Sequence, residues 1–208
     1  MRTILLTGFE PFGRWKRNVT SEATAALDGA VRSGFVLRAL ELPVAWPRAR
    51  DAVLRALARV KPVAVVAFGI HRHRRGIFRV ETRAANRLEF RIPDNEGNVR
   101  RGEKIEAAGP RSLRASIDAL ALGAAIRAAG IRVRPSDDAG RYLCNAVYYT
   151  LLRAAPRAVF VHVPPRLPEE GMDDVVTAVD AAASFVAASL EPAVSRRGGR
   201  SARSWASS

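Results

Sequence analysis

Short apolar runs that stop at glycine or proline alternate along this chain with longer stretches in which apolar residues recur at helical spacing. Thr3 to Thr7 is apolar and ends at Gly8, the pattern of a first strand. Thr20 to Leu27 is expected to be helical, with Asn18 or Thr20 as its N-cap. Phe35 to Leu42 alternates and is rich in leucine and valine, a strand pattern. Ala49, Val53, Leu54, Leu57 and Val60 make one apolar face of a helix expected over Pro47 to Val60. Val63 to Phe68 is a continuous valine-rich run ending at Gly69, typical of a strand buried on both faces of a sheet.

Beyond Gly69 the pattern changes. Phe78 to Phe90 is extended and more polar, and leads into the turn-rich stretch Arg91 to Asn98. Ser116 to Ala129 predicts a helix closed by Gly130 at C′. Ile131 to Arg134 is a short strand, Pro135 to Gly140 a polar loop, and Arg141 to Ala154 a helix. Ala158 to Val163 is a strand that stops at Pro164 and Pro165. Met172 to Leu190 is the last helix. Asp173 and Asp174 lie in its first turn, and Val175, Val179, Val186 and Leu190 share a face. This alternation predicts an α/β fold: a single-domain, three-layer α/β/α sandwich with a twisted, mostly parallel or mixed sheet and helices on both faces. Residues 1–194 are expected to form that domain. Residues 195–208, rich in glycine, serine and arginine, are expected to be a flexible basic tail.

Length and composition agree with one soluble domain: 208 residues, 48% hydrophobic and 26% charged. The single cysteine, Cys144, excludes an intramolecular disulfide framework and a multi-cysteine metal site, and fits a cytoplasmic protein. No secretory signal is expected at the start of the chain. The longest stretch free of polar side chains, Pro62 to Ile70, is too short to span a bilayer, so no membrane partner is expected. The net charge is +14, and all but three of the 34 basic residues are arginine. Concentrations occur at Arg72, Arg74, Arg75 and Arg79, and at Arg196, Arg197, Arg200 and Arg203. Otherwise the arginines are spread through most segments, which speaks against a specific nucleic-acid stripe.

In open α/β sheets, chemistry gathers at the carboxyl ends of strands and the amino ends of helices. That rule selects Thr7 to Gly13, Ser136 to Gly140 with the helix it opens, and Val161 to Pro165. Cys144 lies near the start of that helix, where the dipole favours thiolate. By itself it reads equally as a small core residue. His162 ends a buried strand and reads as a structural histidine or a base. A third group must orient such an imidazole, and Glu81 is one candidate among twenty acidic residues. Phe9 and Phe12, between two glycines, suit either a flat apolar ligand or the core.

Four motifs in register carry a resemblance. Thr7-Gly8-Phe9-Glu10-Pro11-Phe12-Gly13 resembles the N-terminal signature of the pyroglutamyl-peptidase I family of cysteine peptidases. Glu81 to Asn86, then Arg91-Ile92-Pro93-Asp94-Asn95-Glu96-Gly97-Asn98, resemble its glutamate motif and the signature that follows. Ser136 to Asn145 is similar to its nucleophile motif, and Val161-His162-Val163-Pro164, with Pro168 and Glu169, to its histidine motif. The resemblance implies hydrolysis of an N-terminal pyroglutamyl residue from peptides through a thioester acyl-enzyme. Cys144 would be the nucleophile, His162 the general base and acid, and Glu81 the third member. The Cys144 backbone amide and Arg91 would stabilise the oxyanion. Phe9, Phe12, Asn18, Ile92, Tyr142 and Leu143 would bind substrate. The resemblance implies no cofactor and no metal, and a homodimer or homotetramer.

The match breaks at one place. Where the family has a glycine-rich loop, this chain has Gly69-Ile70-His71-Arg72-His73-Arg74-Arg75-Gly76, bulky, basic and one residue longer. His71 and His73 make a poor metal site without a third ligand. The altered loop leaves a second expectation: a divergent protein on the same scaffold that binds an acidic peptide or nucleic acid through Arg72, Arg74 and Arg75. Asn18-Val19-Thr20 replaces the family's Asn-Pro-Ser, a milder change.

Overall fold

A computed structural model of the chain describes residues 1–13, 15–71, 76–165 and 171–191. The elements run β1 (Arg2–Phe9), α1 (Val19–Ala25), β2 (Val31–Arg32), β3 (Phe35–Leu42), α2 (Arg48–Val60), β4 (Ala64–Ile70) and β5 (Phe78–Glu81). They continue β6 (Arg83–Ala85), β7 (Leu88–Glu89), β8 (Arg101–Glu103), β9 (Ser112–Arg114), α3 (Ala119–Ala128), β10 (Val133–Ser136), α4 (Leu143–Ala154), β11 (Ala158–Val163) and α5 (Asp173–Ser189). The basic residues Arg72, His73, Arg74 and Arg75, the pair Pro168 and Glu169, and the expected tail at 195–208 lie outside the described residues.

Seven strands form the central sheet in the order β10-β5-β11-β4-β1-β3-β2. β1 pairs in parallel with β3 and β4, β4 with β11, and β5 with β10. β5 runs antiparallel to β11, and β2 to β3, so the sheet is mixed. The extended stretch at 78–90 is not one strand. β5 joins the sheet, β6 pairs with β9, and β7 pairs with β8. β10 reaches Ser136 and so includes Pro135, which was expected in a loop. It is an edge strand, where a residue without an N–H is tolerated.

Alternate residues of the same strands feed two separate cores. Ile4, Leu6, Val66, Phe68, Val80, Val159 and Val161 pack against α1, α3 and α5 on one face. Leu5, Val65, Ala67, Ala158 and Phe160 pack against α2 and α4 on the other. The helices begin where local chemistry dictates. Asn18 caps α1 by accepting from the Thr20 N–H, and Asp118 caps α3 by accepting from Leu120 and Ala121. Gly8 lets α1 lie close on β1: a Cβ there would come within 2.4 Å of the Thr20–Ser21 backbone. The Phe9 N–H then donates to Thr20 Oγ1 at 3.1 Å, locking the first loop to the start of α1.

Candidate active site

Glu81, His162 and Cys144 come from three elements and meet on the α2/α4 face of the sheet. β5 crosses β11 with Phe160 opposite Glu81 and His162 opposite Arg79, so Glu81 and His162 are diagonal neighbours. The His162 Nδ1–H donates to Glu81 Oε1 at 2.8 Å, with both side chains buried. Glu81 Oε2 is buried and has no hydrogen-bond partner among the described residues, so within them the imidazole supplies the only hydrogen bond to this side chain. Cys144, carried by α4, lies close enough to act on the same imidazole. Burial pulls His162 down, but the hydrogen bonds and charges of Cys144 and Glu81 outweigh it. The net effect pushes the imidazole up to about 9, so the imidazolium is favoured at neutral pH. The Phe160 ring, 4.8 Å from that of His162, fixes its plane.

Cys144 is the second residue of α4, closer to the helix start than the sequence pattern suggested. Tyr142, the N-cap, supplies no side-chain acceptor to the first turn. The position of the Cys144 sulfur also depends on Gly69. A Cβ there would lie 2.7 Å from Cys144 Sγ and 2.9 Å from the Phe160 ring, closer than carbon and sulfur can pack. The next residue of α4, Asn145, is fully buried. It accepts from the Ala85 N–H and donates to the Ala85 and Arg87 carbonyls. It thereby ties the start of α4 to the segment that follows Glu81. Tyr148, one turn on, donates its hydroxyl to the Glu81 carbonyl; burial, then the Glu81 charge, push its phenol far up.

The cleft beside these groups has a volume of about 1720 Å³. Phe9, Phe12, Asn18, Arg91, Ile92 and Tyr142, all expected at the site, line it together with His162. Phe9 is only 4% exposed, so it serves the core and the cleft wall at once. Phe12 and Phe90 flank the Tyr142 ring at 5.7 and 4.6 Å. Asn18 spends its amide holding the loop: Nδ2 donates to the Glu10 carbonyl and Oδ1 accepts from Thr20. The Leu143 side chain is turned into the core, so only its backbone is offered to a ligand. Arg91 is exposed at the rim.

The turn at 91–98 explains why the first loop keeps its shape. Asp94 accepts from the backbone N–H groups of Trp46, Glu96 and Asn98 and from the Asn98 amide. Burial raises this carboxyl, but those donors together hold it below the usual range. Asn95 accepts from the Gly13 N–H and donates to Glu10 Oε1 and the Pro11 carbonyl. Asp94, Asn95, Glu10 and Asn145 are therefore positioning residues that spacing alone did not single out. Among the described residues, no group of three or more His, Cys, Asp or Glu could hold a metal, and no helix is long and apolar enough to cross a membrane.

An α/β/α sandwich with an imidazole in the cleft wall, a buried carboxylate bonded to it and a thiol close by has the form of a cysteine hydrolase. Comparison with known proteins gives the family: a profile of pyroglutamyl peptidases matches residues 2–195, and this chain belongs to that family. It is 39% identical over 173 residues to a pyrrolidone-carboxylate peptidase of Chromobacterium violaceum, covering 83% of this chain and 81% of that protein. It is 35% identical over 201 residues to one of Yersinia pestis, covering 94% and 92%. Its fold matches a mutant pyrrolidone carboxyl peptidase of Pyrococcus furiosus with a TM-score of 0.85 at 27% identity, over 91% of this chain and 100% of that one. The pyroglutamyl peptidase I of Bacillus amyloliquefaciens matches with a TM-score of 0.84 at 29% identity, over 90% and 98%.

Proposed function

We propose that this protein removes N-terminal pyroglutamyl residues from peptides, with Cys144 as nucleophile, His162 as general base and acid, and Glu81 as the group that orients the imidazole. The observation that carries the reading is the buried Glu81–His162 hydrogen bond, with Cys144 acting on the same imidazole, in a member of the pyroglutamyl peptidase family.

Pyroglutamate is a neutral lactam without a free amine, so its pocket needs apolar walls and a few hydrogen bonds, and no carboxylate. Phe9, Phe12, Ile92 and Tyr142 supply such walls. His162 holds the sulfur proton, and the thiolate adds to the scissile carbonyl. The first-turn N–H groups of α4, with that of Cys144 foremost, and Arg91 stabilise the tetrahedral oxyanion. Collapse expels the peptide amine, which takes its proton from His162, and leaves a pyroglutamyl thioester on Cys144. Water, activated by the now neutral imidazole, releases pyroglutamate and restores the thiol. Glu81 keeps Nδ1 protonated throughout, so Nε2 alone exchanges the proton. A catalytic thiol suits the reducing cytoplasm. A catalytic domain at 1–194 and assembly into a homodimer or homotetramer belong to the same reading.

The test is hydrolysis of a pyroglutamyl p-nitroanilide. Freshly reduced protein should release nitroaniline and lose that activity on iodoacetamide treatment. Cys144→Ala should fold and lose at least about a thousandfold in kcat/KM. Undiminished turnover by Cys144→Ala would overturn the assignment.

A further inference from the structure

The cleft carries charge that a neutral lactam does not need. Lys16, Arg79 and Arg91 line it and form no ion pair with any described acid. The described carboxylates in the lining, Glu89 and Asp138, are each held by an arginine, Arg87 and Arg141. The described residues of the wall therefore present excess positive charge to whatever lies in it.

Arg79 has the most informative position. It stands directly opposite His162 in the antiparallel β5/β11 pair, and their side chains leave the same face of the sheet. Directly opposed residues of such a pair lie about 4.5–5.5 Å apart at Cα, within easy reach of a long side chain. On the other neighbouring strand, His162 faces Gly69, which has no side chain. The proton donor for the leaving amine is thus flanked on the β5 side by an arginine that is half-buried and without an ion-pair partner among the described residues.

In the reaction proposed above, the leaving amine must sit at His162 to take its proton. The residue that follows pyroglutamate then lies beside His162, while the lactam occupies the aromatic end at Phe12 and Tyr142. Resting on that reading, we propose that Arg79 is a specificity-determining residue and that the cleft favours pyroglutamyl peptides whose second residue is acidic. A carboxylate there would meet an otherwise unmatched guanidinium, and a cation would be repelled by it.

A matched series of amidated dipeptides tests this: pyroglutamyl-Glu, -Gln and -Lys amides, with pyroglutamyl p-nitroanilide as an uncharged control. Wild-type kcat/KM should fall in the order Glu, Gln, Lys, with about a five- to tenfold step from Glu to Gln at low salt. That step should shrink as sodium chloride rises from about 20 to about 500 mM. Arg79→Gln should bring the Glu-to-Gln ratio close to one, and Arg79→Lys should keep most of it. Should Arg79→Gln fail to fold, the salt dependence and Arg79→Lys still decide. Turnover of the anilide with no preference for Glu, or a preference that survives Arg79→Gln, overturns the role of Arg79 and leaves the peptidase reading standing. No turnover of any of the four substrates overturns both.

Discussion

The two faces of the central sheet are built from the same strands and do different work. In β11, Val159, Val161 and Val163 enter the face covered by α1, α3 and α5, where Ile4, Leu6, Val66, Phe68 and Val80 of the neighbouring strands join them. Ala158, Phe160 and His162, one residue out of step, enter the face covered by α4. In β4 and β5 the same alternation puts Phe68 and Val80 on the dry side, and Gly69 and Glu81 on the reactive side. Side-chain period two lets one strand anchor the fold with half its residues and hold chemistry with the other half. The apolar face anchors the strands; the other uses that rigidity to hold a carboxylate against an imidazole beside the Cys144 sulfur of α4.

Substitutions on the two faces should therefore separate stability from activity. Among substitutions in the strands, the largest effect is expected at Gly69. Gly69→Ala puts a methyl group where Cys144 Sγ and the Phe160 ring now lie. Displacing the nucleophile by even about 1 Å should cost about a hundredfold in kcat/KM, beside about 1–3 kcal/mol of stability from crowding the Phe160 ring. On the dry face, Val161→Ala should lower stability by about 2 kcal/mol with kcat/KM of the folded protein kept within about twofold. Denaturant titration and steady-state kinetics on both variants read the contrast. If Val161→Ala lost activity as Gly69→Ala does, the division of labour between the faces would be wrong.

A smaller effect is expected in the pH profile. In the proposed reaction the imidazolium of His162 is the acid that the leaving amine needs. Because its titration is raised from 6.5 to about 9, activity should persist through neutral pH and fall as pH rises through about 9. Glu81→Gln removes one of the two partners that hold the value up. Its alkaline limb should move to lower pH, and kcat/KM measured from pH 6 to 10 shows the shift. An unmoved limb would mean that Glu81 does not act through His162.

Much of this was legible in the pattern of residues, for physical reasons. β3 and β11 match the expected ranges, because strands in a packed sheet read as apolar runs with abrupt ends. The split of 78–90 into β5, β6 and β7 was not legible. Ala84 pairs with Leu113 and Leu88 with Glu103, and partners that remote leave no local periodicity. Cys144, His162 and Glu81 each had a bland structural reading, and only the motifs ordered along the chain joined them. Their contact depends on the β5/β11 register and on where α4 starts, neither of which spacing shows. Asn145 and Asn95 stood only as motif members without a role, because their partners are groups far away in sequence. Phe9 answered to both of its readings, being core and cleft wall together.

The central claim is that Cys144 attacks the pyroglutamyl carbonyl. A pyroglutamyl p-nitrophenyl ester, mixed rapidly with the enzyme and quenched in acid, tests it directly, because an activated ester acylates faster than the thioester hydrolyses. The account predicts a burst of one nitrophenol per active site and one pyroglutamyl group on the peptide that contains Cys144. Turnover that is linear from the first equivalent, with Cys144 unmodified, would contradict it.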